Sequence, residues 1–227
     1  MNSRRYYTTG PSPLWLERAN VTAMKHQVTQ FKSLTLALKE LQPFIRDGEH
    51  LQTGKPFKRF GGLRSRELLA NWLLCVTANY AAGSDRLTFT SDPTGSDGII
   101  RDRQTEETWR TEHVLVPKAR GGEEPIDVRI LKAIALKQNK GGAAYASGKT
   151  LVVMLNADGG PWYPNKVADQ LPAPLDFDAV WVVGLHGVDA DEYVYDVVRL
   201  DRSRGNAPAW RVRIAKDFES WTIESVQ

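Results

Sequence analysis

The sequence is poor in the residues on which several common classes of protein depend. It contains one cysteine, Cys75, among 227 residues, which excludes a disulfide framework and a zinc site built from cysteines. Cys75 lies in an apolar run, so we expect it to be buried, with a nucleophilic role as the alternative. His26, His50 and His186 lie far apart and lack the spacing of metal ligands, which argues against zinc.

Long hydrophobic runs are also missing from the sequence. The longest, at residues 151–155 and 179–185, are far shorter than the roughly 20 residues that a membrane-spanning helix requires. Residues 1–7 include two arginines, but no apolar segment of the kind found in secretory signals follows them. We therefore expect a cytoplasmic protein without a membrane partner.

The composition that remains suits one sizeable folded core. Hydrophobic residues make up 41% of the chain and charged residues 25%, a balance typical of a globular protein. We expect a helical N-terminal extension over residues 1–62 and an α/β domain over residues 63–227. The formal net charge of +3 and the isoelectric point near 8.9 slightly favour an anionic partner.

The order of predicted helices and strands indicates an α/β fold. Helices are predicted where apolar residues recur at steps of three and four, and strands where they alternate or form short continuous runs. In chain order the predictions are helices 13–46 and 63–80, strands 86–90, 98–102 and 108–116, helix 126–140, loop 143–149, strand 150–156, a short helix at 165–170, strand 179–184, and edge strands 193–200 and 210–214. The first three strands form a meander, and the continuous apolar runs indicate strands covered on both faces.

Two carboxylates, Asp97 and Glu112, are expected at the same end of this meander. Asp97 begins its second strand and Glu112 lies in its third, and side-chain alternation places Glu112 on one face with Val114 and Val116. A carboxylate among apolar neighbours is costly unless a cation or a donor compensates it. Two such carboxylates can bind Mg²⁺, which prefers oxygen ligands. The alternative is that Glu112 reaches solvent at a sheet edge while Asp97 makes an Asx turn before Gly98.

The arrangement resembles the PD-(D/E)XK, or restriction-endonuclease-like, nuclease superfamily. The resemblance covers roughly residues 63–185, with Asp97 at the position of the family's Asp and Glu112 at that of its Glu. It implies a restriction-endonuclease-like core, with a central mixed β-sheet flanked by helices. It also implies a metal-dependent nuclease that hydrolyses phosphodiester bonds of DNA, or alternatively RNA, with Mg²⁺ or Mn²⁺ as its cofactor. Val114 stands where the family pattern has lysine.

Some members of that superfamily supply the lysine from the following helix, and Lys137 is the matching candidate here. The alternative for Lys137 is a solvated lysine favoured by the dipole at a helix C-terminus. Glu67, on the first core helix, matches an accessory acidic metal ligand, or else is an exposed first-turn glutamate. His113 adjoins Glu112 but should face the other side of the sheet, so we interpret it as structural.

Basic residues cluster at positions 55–66, which include Lys55 and Arg66, and could follow a phosphate backbone, although a solvated linker has the same composition. The candidates for nucleic-acid contact are Lys58, Arg59, Arg64, Gln138, Lys140 and Lys149. Residues 143–150 match a relaxed phosphate-loop pattern, but a helix precedes them and a strand follows. A working phosphate loop has the reverse order, so we reject nucleotide hydrolysis.

Three hypotheses for function follow. The first is a Mg²⁺-dependent endonuclease in which Asp97, Glu112 and Glu67 bind the metal and Lys137 is catalytic. The second is an inactive member of the same fold that binds nucleic acid or a protein partner. The third is a cytoplasmic scaffold that assembles through its N-terminal helix. A homodimer is also among the expected partners.

Overall fold

The computed structural model of the chain describes residues 31, 33–47, 62–118, 124–156, 161–190 and 192–227. Within these ranges the protein is α/β, with a few helices and one curled, eight-stranded mixed sheet. The helices are α1 Leu34–Asp47, α2 Ser65–Ala81, α3 Ile126–Asn139, α4 Gly142–Ala146 and α5 Pro164–Asp169. The strands are β1 Leu87–Thr90, β2 Gly98–Asp102, β3 Thr108–Val116, β4 Lys149–Leu155, β5 Ala179–Asp189, β6 Glu192–Leu200, β7 Ala209–Ile214 and β8 Trp221–Ser225.

The strands lie in the sheet in the order in which they occur in the chain. Strands β1 to β3 form an antiparallel meander, and β5 to β8 form another. Between them β3, β4 and β5 are parallel neighbours. Parallel neighbours need crossover connections. Helices α3 and α4 form the connection between β3 and β4, and α5 forms the one between β4 and β5.

Helices cover both faces of the parallel centre of the sheet. On one face α1 and α2 pack in a cluster with Val152, Trp181 and Val183. On the other face α3 and α5 pack on Leu151 and Val153. Successive residues of β4 therefore face apolar neighbours on opposite sides, which explains why its sequence is a continuous apolar run.

Most predicted elements are confirmed, and β2 and β3 have the predicted bounds. The predicted loop at 143–149 is wrong, because alanines with high helix propensity form α4 before β4 begins. The prediction of edge strands at 193–200 and 210–214 is also wrong. Both β6 and β7 have neighbours on each side, since β8 covers β7, and their alternating pattern reflects one buried face rather than an edge. Residues 13–30 and 32 of the predicted helix 13–46 lie outside the described residues, and in the described part the helix begins at Leu34.

Helix α1 belongs to the same apolar cluster as α2 and the sheet. Leu38 and Leu41 of α1 are completely buried, and the indole Nε1 of Trp72 in α2 donates to the backbone oxygen of Leu34 at 2.9 Å. In the described part of the chain, no helix has the length and apolar character needed to cross a bilayer.

Candidate functional site

The backbone at the start of β2 fixes the position of Asp97. Gly98 pairs with Thr111 in β3, and the Asp97 N–H donates to the Thr111 oxygen at 3.0 Å. From α2, the Asn71 side chain donates to the Asp97 backbone oxygen at 3.1 Å. The Asp97 carboxylate accepts the N–H of His113 at 2.7 Å. This register brings Asp97 beside Glu112 at the same end of the β2–β3 pair.

Both carboxylate oxygens of Glu112 are engaged by cations. Oε1 accepts from Lys149 Nζ at 3.0 Å, and Oε2 accepts from Lys137 Nζ at 3.2 Å and from the Tyr145 hydroxyl. Glu112 is only 6% exposed. Burial acts to raise the pKa of Glu112, but the hydrogen bonds from Tyr145 and Lys149 and the charge of Lys137 outweigh it, so this pKa lies below its ordinary value.

The Lys137 ammonium lies between the two carboxylates. Its Nζ is 3.2 Å from Glu112 Oε2 and 4.0 Å from Asp97 Oδ2. Lys137 comes from the last turn of α3, where the resemblance placed a displaced lysine. Val114, at the position of the family pattern's lysine, instead packs against the apolar cluster under α3.

Tyr145 and Lys149 complete this cluster, and the sequence did not indicate their role in it. Tyr145 lies on helix α4. The centroid of its ring is 4.1 Å from Lys149 Nζ and 4.9 Å from Lys140 Nζ. Burial raises the pKa of Tyr145, and its hydrogen bond to Glu112 adds to the shift. The register of the sheet accounts for Lys149, because Leu151 pairs with Glu112 in the parallel pair β3–β4. Lys149, two residues earlier, must share that face.

Asp97 and Lys137 open onto a polar cleft of about 400 Å³. The cleft is lined by the start of α2, the loop after β1, strand β3 and the end of α3. The lining residues are Gly62, Leu63, Arg64, Arg66, Glu67, Ser91, Asp92, Ser96, Asp97, His113, Lys137 and Lys140. Glu112 is not part of this wall. Lys137 lines the cleft and also contacts Glu112 at 3.2 Å, so it links the two.

Glu67 lines the cleft, and its carboxylate is bound by the backbone of Arg64 rather than by Lys137. Its Oε2 accepts from the backbone N–H of Arg64 at 2.7 Å, in a capping arrangement at the start of α2. Burial raises the pKa of Glu67, the Arg64 N–H opposes that shift, and the charge of Asp97 reinforces it.

His113 points away from Glu112, on the face covered by α2, as side-chain alternation predicted. It is 8% exposed, and burial lowers its pKa to about 4. Among the described residues, neither of its ring nitrogens has a hydrogen-bond partner. The histidine is therefore a neutral, unsatisfied polar group in the wall of the cleft at neutral pH.

The remaining predicted contact residues fall into three groups. Arg64 and Lys140 line the cleft. Gln138 does not line it, because its amide donates to the Pro174 backbone oxygen at 3.1 Å. Lys58 and Arg59 lie outside the described residues.

The described residues contain no group of three or more His, Cys, Asp or Glu side chains placed to hold a metal ion. The acidic side chains within 4.0 Å of the Lys137 ammonium are Asp97 and Glu112. Comparison of the chain with protein-family models, with curated proteins and with solved structures gave no match.

Proposed function

We propose that the protein is a metal-dependent nuclease that hydrolyses phosphodiester bonds of DNA, or alternatively of RNA. The observation that carries this proposal is the position of one ammonium group, Lys137 Nζ, within 4.0 Å of both the Asp97 and the Glu112 carboxylate. Two carboxylates and a lysine converging from β2, β3 and the following helix are the set of groups that the PD-(D/E)XK resemblance implies.

The order of elements also supports the resemblance. We infer a restriction-endonuclease-like core in α2, the β1–β3 meander, α3 and the parallel strand β4. In this core the acidic residues come from the start of β2 and from β3, as the family pattern requires. The second antiparallel meander, β5 to β8, extends the same sheet beyond this core.

The donor set fits Mg²⁺ or Mn²⁺. These ions prefer oxygen ligands, and Mg²⁺ sites commonly use one or two carboxylates together with water and substrate phosphates. Asp97 and Glu112 would hold the ion. Their carboxylates already converge on one cation, the Lys137 ammonium. When bound, the divalent ion supplies Lewis-acid polarisation of the phosphoryl group and activates a water for attack.

The chain's own residues then have separate tasks. Lys137 places a positive charge where negative charge develops on the phosphate during attack, and it can orient the water. Lys149 and Tyr145 hold the Glu112 carboxylate in place through their hydrogen bonds. Asp97 is held by the His113 N–H, so its carboxylate is oriented before any substrate binds.

The test is cleavage of labelled single-stranded DNA, duplex DNA and RNA with Mg²⁺ or Mn²⁺ by the wild-type protein and by Asp97→Asn and Glu112→Gln. Each variant should lose at least about 10²-fold in rate, the loss typical when one electrostatic contributor is removed. Glu219→Gln is the matched control, since Glu219 is exposed and bridges only Lys39 among the described residues. Intact substrates with the wild type, together with unchanged metal affinity in Asp97→Ala, would refute the proposal.

A second candidate function is binding of nucleic acid or a protein partner by an inactive protein of this fold. It is favoured by Val114 at the pattern's lysine position and by the engagement of both Glu112 oxygens within the protein. DNA binding that weakens with salt, without any cleavage, would support this alternative. Measurable turnover would exclude it.

A further inference from the structure

The cleft beside Asp97 contains more positive charge than its acidic residues compensate. Its wall carries four cations, Arg64, Arg66, Lys137 and Lys140, and three carboxylates. Each carboxylate has its own partner. The Arg64 guanidinium Nε lies 3.7 Å from Glu67 Oε1, and Lys137 Nζ lies 4.0 Å from Asp97 Oδ2.

The third carboxylate, Asp92, is satisfied within its own loop. It accepts hydrogen bonds from Thr94 and Ser96, and Arg110 Nε lies 3.4 Å from its Oδ2. Burial acts to raise the pKa of Asp92, but these contacts outweigh it and leave this pKa below its ordinary value. Asp92 is therefore not available to neutralise the cations across the cleft.

Arg66 and Lys140 are the two cations that remain. Neither forms an ion pair with another described residue, and the Lys140 ammonium lies 4.9 Å from the centroid of the Tyr145 ring. They approach the cleft from different elements, Arg66 from the first turn of α2 and Lys140 from the end of α3. The first turn of a helix also favours anions through its free N–H groups.

The wall of the cleft also contains a buried polar side chain, His113, without a hydrogen-bond partner among the described residues. Buried polar groups are nearly always hydrogen-bonded to protein, water or ligand.

We propose that this cleft is a phosphate subsite, in which Arg66 and Lys140 bind a phosphate of the substrate strand that adjoins the phosphodiester being cleaved. The inference rests on the proposed nuclease function, because it takes Asp97 and Lys137 as the position of the scissile group. It adds that the substrate is a nucleic-acid strand with at least two consecutive phosphates. A lone phosphodiester would leave the subsite without its ligand.

The experiment compares two substrates with the double variant Arg66→Gln, Lys140→Gln. With Mn²⁺, kcat/KM for a single-stranded oligonucleotide should fall at least about tenfold, because charge-assisted hydrogen bonds are lost. Hydrolysis of bis(p-nitrophenyl) phosphate, which has one phosphodiester and no adjoining phosphate, should stay within about twofold of wild type. The matched control is Arg103→Gln, Lys39→Gln, which changes one exposed arginine at the other end of the meander and one exposed lysine on α1.

Binding without metal gives a second measurement. In EDTA, the slope of log affinity against log salt for the oligonucleotide should become shallower by about 0.7 in the double variant, since one phosphate contact on a single strand contributes about 0.7. An unchanged slope, or an equal loss of rate on both substrates, would overturn the subsite. If wild type cleaves neither substrate, the nuclease proposal fails, while the salt slope still decides whether the cleft binds phosphate.

Discussion

The Lys137 ammonium lies close to two carboxylates at once. The Asp97 and Glu112 oxygens nearest to it are 4.0 and 3.2 Å away, so the protein carries a cation of its own between its proposed metal ligands. A divalent ion that enters there must share the carboxylates with the ammonium or displace it. Repulsion between the two cations then opposes metal binding.

Replacement of Lys137 by methionine should therefore tighten metal binding while abolishing cleavage. Affinity for Mn²⁺, measured by calorimetry, should rise at least about fivefold, since two unit charges 4 Å apart interact by about 1 kcal/mol even in water. Lys132→Met is the control, because Lys132 lies on the same helix but pairs with exposed Glu124. Weaker or unchanged Mn²⁺ affinity in Lys137→Met would contradict the proposed position of the metal.

His113 should make stability depend on pH between about 4 and 6.5. Its pKa is about 4 in the folded protein, against an ordinary value of 6.5. The unfolded chain therefore binds more protons in this window, and the free energy of unfolding rises with pH across it. The contribution of His113, fully present above pH 6.5 and lost as the pH falls to 4, is about 3 kcal/mol.

Urea denaturation at several pH values would measure this dependence as a difference between wild type and His113→Gln. The difference is needed because Glu67, whose pKa is raised, changes stability with the opposite sign. The variant should have a flatter profile from pH 4 to 6.5. An unchanged slope in His113→Gln would refute the prediction.

At the scale of elements, the start of β2 depends on the absence of a side chain at Gly98. Its φ is +155°, and a Cβ there would meet the Asn71 side chain and lie 2.9 Å from Thr111 Oγ1. Asn71 and Thr111 are themselves joined by a buried hydrogen bond of 2.8 Å. A methyl group must therefore disturb the contacts that link α2 to β3 and hold Asp97.

Gly98→Ala should lower the free energy of unfolding by about 1–3 kcal/mol, the usual cost of overpacking or of an unfavourable backbone conformation. Cleavage should fall further than the folded fraction does, because the Asp97 backbone accepts from Asn71. Chemical denaturation and rate measurements on the same samples would separate the two effects. Gly187→Ala, whose added Cβ meets nothing within 4 Å, should leave both unchanged; equal behaviour of the two variants would refute the argument.

The elements that local patterns specify could be predicted from the sequence, and those that depend on tertiary neighbours could not. Alternation and turn residues define β2 and β3, and their antiparallel pairing is enough to bring Asp97 and Glu112 together. Tyr145 reaches Glu112 only because α4 packs beside the parallel pair β3–β4, and no local pattern encodes that contact. For the same reason the alternating sequence of β7 is typical of an edge strand, although β8 pairs with β7 in the sheet.

At the scale of the whole molecule, one sheet joins the candidate site to the second meander, and the apolar cluster on its α2 face extends over both. That cluster includes α1, α2 and residues of β6 and β7 such as Val197 and Val212. Helix α1 lies within the N-terminal extension expected at residues 1–62, yet its buried face is continuous with the core of the sheet. Loss of packing in α1 should therefore lower the free energy of unfolding of the whole protein.

Two leucines of α1 allow this to be tested with the same substitution. Leu38 is completely buried, whereas Leu36 is 57% exposed. Leu38→Ala should lower the free energy of unfolding of the entire protein by about 2–5 kcal/mol, the cost of a buried leucine with its cavity, while Leu36→Ala should change it by less than about 0.5 kcal/mol. Far-ultraviolet circular dichroism and tryptophan fluorescence should report one coincident transition in both variants. In a shared core, loss of a buried side chain destabilises every strand that packs on it. If Leu38→Ala instead produced a separate early transition and left the main one in place, α1 would be an appended element and not part of that core.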